Sequence, residues 1–111
     1  MIEPGKQAES LAADFLQRQG LRLVEKNYRC RVGEIDLIMD DHAIRVFVEV
    51  RLRRNRNFGG AAESITRSKQ GKLIRAAQHY LQQLPRQPQC RFDAVLLDGL
   101  RIEWIKDAFS A

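Results

Sequence analysis

The run Gly33–Arg51, GEIDLIMDDHAIRVFVEVR, constrains this chain more than any other stretch. Two apolar, strand-like segments flank the short polar Asp40–Ala43, a pattern that reads as a β-hairpin. Residues two apart on a strand share a face, so Glu49 and Arg51 project together. A connecting loop with an even number of residues puts Asp36 on the face of Glu49; an odd loop puts it on the opposite face. In the even case two carboxylates and a cation converge among Ile35, Leu37, Phe47 and Val48. Charges beside a largely buried sheet are expensive unless they are paired or bind a metal, and that cost marks the hairpin as a candidate site.

The rest of the chain supplies two helices and three further strands. Gly5–Gln19 carries Ala8, Leu11, Ala12, Phe15 and Leu16 at helical spacing, with Gly20 as its stop. Glu9 lies beside that apolar stripe, where spacing alone reads it as a solvated surface glutamate. Leu21–Cys30 reads as a strand interrupted at Glu25–Asn27, and Gly33 permits a tight approach at the start of the hairpin. Leu52–Ser64, rich in Arg, Asn and Gly, reads as a mobile basic flap or an ordinary solvated loop. Thr66–Leu84 is a second helix with a stripe of Leu73, Ala76, Ala77, Tyr80, Leu81 and Leu84, closed by Pro85. Gly71 is costly inside it and reads as a point of close approach by a backbone or a phosphate. Cys90–Leu97 and Leu100–Ile105 form a second hairpin across an Asp98-Gly99 turn, with residues 106–111 as a tail. This order indicates an α/β or α+β chain whose sheet is flanked by helices.

At 111 residues the chain suits one domain spanning 1–111. Cys30 and Cys90 have no metal-binding spacing and read as reduced, packing thiols of a cytoplasmic protein. No apolar run approaches a membrane span, and no partner in a membrane is expected. The net charge is +5 and the pI about 9.7, which favours an anionic partner, nucleic acid first. The bases cluster: Arg51, Arg53, Arg54 and Arg56, then Arg67, Lys69, Lys72 and Arg75, with Arg29 and Arg31 before the hairpin. The acids Glu34, Asp36, Asp40, Asp41 and Glu49 gather between them. An acidic pocket with a basic rim suits a phosphate backbone held over cations. Mg²⁺ or Mn²⁺ takes carboxylate, water and phosphate oxygens, and Asp36 and Glu49, joined by Glu9, offer such ligands. No phosphate-binding glycine loop, nucleophile elbow or HExxH motif is present, and His42 and His79 read as structural.

Gly5-x-x-x-Glu9, then Asn27-Tyr-Arg-Cys-Arg-x-Gly-Glu-Ile-Asp-Leu-Ile38, Phe47-Val-Glu-Val-Arg51 and Arg91-Phe-Asp93 resemble the uncharacterised bacterial YraN family along nearly the whole chain. That family is similar to the restriction-endonuclease-like superfamily, notably archaeal Holliday-junction resolvases. The resemblance implies an α/β fold, a restriction-endonuclease-like central mixed β-sheet flanked by helices. It implies Glu9, Asp36 and Glu49 as metal ligands for Mg²⁺ or Mn²⁺, with Arg51 completing the catalytic set, and it extends to a resolvase-like homodimer. The superfamily lysine is Arg51 here. Arginine keeps its charge and can hold a phosphate, but it cannot act as a general base.

Three readings follow. The first is a metal-dependent DNA endonuclease selective for substrate structure, with Arg29, Arg53, Arg54, Arg56, Lys69, Lys72 and Arg75 contacting nucleic acid, DNA ahead of RNA. The second is a nucleic-acid-binding protein on a nuclease fold without useful turnover. The third is a partner-binding assembly module with an incidental acidic cluster. No element presents an identifiable groove-reading helix, so backbone or shape readout is expected.

Overall fold

The computed structural model describes residues 4–52, 65–99 and 101–111. Helix α1 (Pro4–Arg18) precedes strands β1 (Arg22–Cys30), β2 (Gly33–Asp41) and β3 (Ile44–Leu52); α2 (Arg67–Leu81) then leads to β4 (Gln89–Asp98) and β5 (Arg101–Phe109). The strands form one mixed sheet in the order β1-β2-β3-β4-β5. Only the β3–β4 pair is parallel, because α2 carries the chain back across the sheet between them. This five-stranded mixed sheet with a helix on each side has the expected α/β architecture and is compatible with a restriction-endonuclease-like fold.

The two faces have separate cores. On one, Ala8, Ala12, Ala13 and Leu16 of α1 pack on Leu37, Met39, Val46 and Val48. On the other, Leu73, Ala76, Ala77 and Tyr80 of α2 pack on Ile38, Phe47 and Phe92. Small alanines let α1 lie close to the sheet. They leave Leu11, expected in its apolar stripe, 47% exposed at the rim. Burial on both faces explains why β4 is buried without interruption from Phe92 to Leu97.

Several boundaries differ from the expected ones for identifiable reasons. Helix α1 ends as anticipated at Gly20 (φ +100°), where the Leu21 and Gly20 N–H groups donate to the Leu16 and Gln17 carbonyls in a Schellman motif. Strand β1 runs through Glu25–Asn27 rather than breaking there. It absorbs its irregularity as a bulge between Leu23 and Glu25 and as a left-handed Asn27 (φ 53°). Helix α2 starts after the N-cap Thr66 and stops at Leu81, followed by short-range turns that still bring Leu84 onto the core. Asp98 pairs with Arg101, so the last tight turn begins at Gly99 (φ 59°) instead of Asp98. Strand β5 includes most of the expected tail. An irregularity at the left-handed Asp107 rephases it, and Phe109 stacks on Phe92 with ring centroids 4.9 Å apart.

Candidate functional site

The site begins where the sheet forks. The β2–β3 ladder runs from Asp41↔Ile44 to Leu37↔Val48 across the two-residue turn His42–Ala43. The loop is even, and extending its register sets Asp36 opposite Glu49. Pairing on the outer sides continues, β1–β2 to Cys30↔Gly33 and β3–β4 to Leu52↔Leu97. The sheet therefore opens between β2 and β3 beyond Leu37. The Asp36 Oδ2 accepts the Val50 N–H at 2.8 Å, replacing a carbonyl that the departing strand no longer offers. Alternation also breaks there: Leu37 belongs to the α1-side core but Ile35 to the α2-side core.

This opening joins the two faces in one cavity of about 320 Å³. Helix α1 contributes Gly5, Ala8 and Glu9; the fork contributes Asp36, Glu49 and Val50; α2 contributes Lys69, Lys72 and Leu73. Glu9 interacts with Asn27 and with Asp36, and Asp36 with Glu49. Burial first, and the neighbouring Glu49 charge second, push the Asp36 carboxyl up to about 7, against the opposing effect of the Val50 N–H. Burial and then the charge of Asp36 likewise raise Glu9, while its bond to Asn27 acts in the other direction. The Glu49 side chain is 6% exposed, and its Oε1 lies 3.2 Å from the Lys69 ammonium.

Among the described residues, no group of three His, Cys, Asp or Glu side chains is arranged to hold a metal ion as it stands. The donor chemistry nevertheless fits a hard divalent cation. Asp36 and Glu49 offer adjacent carboxylate oxygens whose mutual repulsion a cation would relieve, and Glu9 stands next to Asp36. Mg²⁺ and Mn²⁺ commonly use one or two carboxylates and complete their shell with water and phosphate.

The expected cations are placed unequally. Arg51 is half-buried on β3 and does not line the cavity; Lys69 and Lys72 do. Arg29 is paired with Glu34 at 3.3 Å on the exposed rim, in a shallower depression that also includes Arg31 and Lys72. Arg75 is exposed on α2 and does not line the cavity. Arg53, Arg54 and Arg56 lie outside the described residues with the rest of the expected flap beyond Leu52, and Leu52 itself ends β3. Gly33 makes the anticipated close approach, since a Cβ there would meet the Lys72 carbonyl oxygen at 3.1 Å. Gly71 does not; its nearest neighbour is the flexible Arg75 side chain at 3.5 Å.

Some partners were not legible in the sequence. Asn27 reaches Glu9 from β1, and its left-handed conformation is one that asparagine tolerates. His79, read as structural, has its Nδ1 2.5 Å from the Tyr28 hydroxyl, to which Gln83 donates. Asp93, 0% exposed, accepts from Arg91, the Trp104 indole and the Asp107 N–H, tying β4 to β5 on the face away from Glu49.

A model of the uncharacterised protein family UPF0102 matches residues 8–97. A UPF0102 protein of Nitrosospira multiformis is 61% identical over 108 residues, covering 95% of this chain and 91% of that protein. One from Methylobacillus flagellatus is 54% identical across the full length of both chains. One from Nitrosococcus oceani is 51% identical, covering 96% and 91%.

Proposed function

The chain belongs to the uncharacterised protein family UPF0102, which is the YraN family, and we propose that it is a divalent-metal-dependent DNA endonuclease selective for substrate structure. The observation that carries this reading is the fork. It gathers Glu9, Asp36 and Glu49 from three elements into one cavity and lifts the Asp36 carboxyl to about 7 through burial and like charge. A fold gains nothing in stability from such an arrangement, whereas cation binding needs it.

When bound, Mg²⁺ or Mn²⁺ would supply an activated water and neutralise charge on the scissile phosphate. Asp36 and Glu49 hold that centre, with Asp36 oriented by the Val50 N–H. Glu9, steadied by Asn27, completes the acidic side. Lys72 stands where the cavity meets the Arg29 and Arg31 rim, placed to take the phosphates flanking the reacting one. Nucleic acid, DNA before RNA, is the partner this chemistry implies. The homodimer expected from the resolvase resemblance belongs to the same proposal; light scattering on the eluting protein reads it.

The test is cleavage of linear, single-stranded, flapped and four-way-junction DNA with Mg²⁺ or Mn²⁺, each beside a chelator control. Chelator-sensitive cleavage that Asp36→Ala abolishes supports the reading; cleavage that persists in Asp36→Ala refutes it. Arg51, standing where the superfamily has lysine but outside the cavity, favours a second reading, nucleic-acid binding without turnover. Under it no substrate is cut, and salt-sensitive DNA affinity survives Asp36→Ala.

A further inference from the structure

Resting on the reading of the cavity as a metal-dependent centre, we propose that Lys69 is a built-in stand-in for the cation. Its ammonium holds the Glu49 carboxylate in the metal-free protein, yields that carboxylate when a divalent cation arrives, and is then free to meet a substrate phosphate.

Three observations carry this. The Lys69 Nζ is 3.2 Å from the Glu49 Oε1, and both side chains line the same cavity. The two ends of the pair differ in freedom: the Glu49 side chain is 6% exposed and fixed in the fork, whereas the Lys69 side chain is 42% exposed. The base of Lys69 is held, because its N–H donates to the Thr66 Oγ1 in the first turn of α2. A fixed backbone with a mobile four-carbon stem can move the ammonium out without moving the helix. A buried carboxylate needs a counter-charge, and here a lysine provides one that a divalent cation can replace.

Two cations compete for one carboxylate under this proposal, so removing the lysine must strengthen metal binding even as it removes a phosphate contact. Charge removal alone favours cation binding, so the Ca²⁺-dependent change in DNA affinity is what separates a displaced lysine from a static ion pair. A displaced lysine also gives this chain a mobile cation at the centre although Arg51, in the superfamily's lysine position, does not line the cavity.

The experiment is a Mn²⁺ titration of the full chain without nucleic acid, reading free Mn²⁺ by electron paramagnetic resonance. Wild type is compared with Lys69→Met, Lys69→Arg and Asp36→Asn, each shown folded by circular dichroism; Lys69→Gln replaces Lys69→Met if that variant does not fold. Loss of a unit charge this close to the site should tighten Mn²⁺ binding in Lys69→Met by about tenfold. Lys69→Arg, which keeps the charge, should stay within about threefold of wild type. Unchanged or weaker binding in Lys69→Met overturns the proposal, as does equal tightening in Lys69→Arg. Asp36→Asn keeps the two ideas apart. If it weakens Mn²⁺ binding while Lys69→Met has no effect, the stand-in role fails and the metal centre survives. If no protein binds Mn²⁺, both fail. A second readout uses Ca²⁺ and fluorescently labelled duplex DNA. Ca²⁺ should raise wild-type affinity more than that of Lys69→Met, and an equal rise in both overturns the release of the lysine to phosphate.

Discussion

At the scale of single residues, Asp36 ties stability to pH in a direction opposite to that of most carboxylates. Its folded-state value of about 7 lies above the ordinary 3.8. Between those values the folded chain holds a proton that the unfolded chain has released, so this contribution is fully present below 3.8 and is lost as pH rises through 7. Asp36→Asn removes the penalty. Urea denaturation at pH 8 without divalent cations should find it more stable than wild type by about 1–3 kcal/mol, with the gap closing toward pH 4. A gap that does not narrow on acidification would contradict this account of Asp36. Asp93 presents the contrary case, a buried charge whose acceptor oxygens all find use. Asp93→Ala strands the Trp104 indole and the Asp107 N–H and leaves Arg91 its pair with Asp41, and thermal or urea unfolding should show a loss of about 2–4 kcal/mol.

At the scale of elements, the cavity depends on how closely α2 approaches the start of β2. Gly33 sets that approach, because a methyl group there would sit 3.1 Å from the Lys72 carbonyl, a backbone atom that cannot turn aside. Gly33→Ala should cost about 1–3 kcal/mol and push the first turns of α2 outward. Its signature is lower stability together with weakened DNA binding, since Lys72 rides on the displaced turns. Unchanged stability would mean that helix and strand already have slack between them. The elements themselves were largely legible. The α2 stripe of Leu73, Ala76, Ala77 and Tyr80, the Gly20 stop and the presence of the central hairpin follow from local periodicity and turn chemistry. What local patterns missed were the long-range corrections: β1 running through Asn27 because β2 pairs with it, and β5 extending to Phe109 because Phe92 receives that ring.

At the scale of the whole molecule, the net charge of +5 acquires a location. Lys69 and Lys72 line the cavity, and Arg29 and Arg31 border the depression beside it. If this rim takes a phosphate backbone, Lys72→Ala should weaken DNA binding to every sequence alike. It should also reduce the slope of log affinity against log salt by about one. Fluorescence anisotropy across a salt series measures both, and a sequence-dependent loss would argue against a backbone contact.

The sequence by itself determined the central hairpin and the helices that cover the sheet, while the even turn that puts Asp36 and Glu49 on one side was decided by the structure. Strand alternation, helical periodicity and turn preferences act over a few residues and are written in residue order. Glu9 was ambiguous on those terms, since spacing alone read it as a solvated surface glutamate; it entered as a third oxygen ligand that the chemistry could use and that the family resemblance implies. The tertiary structure decided that the sheet forks at Asp36, that α1 and α2 reach one cavity from opposite faces, and that Lys69 rather than Arg51 meets Glu49. Those outcomes depend on where distant segments dock. Packing of whole faces fixes that docking, and no spacing within a single element encodes it.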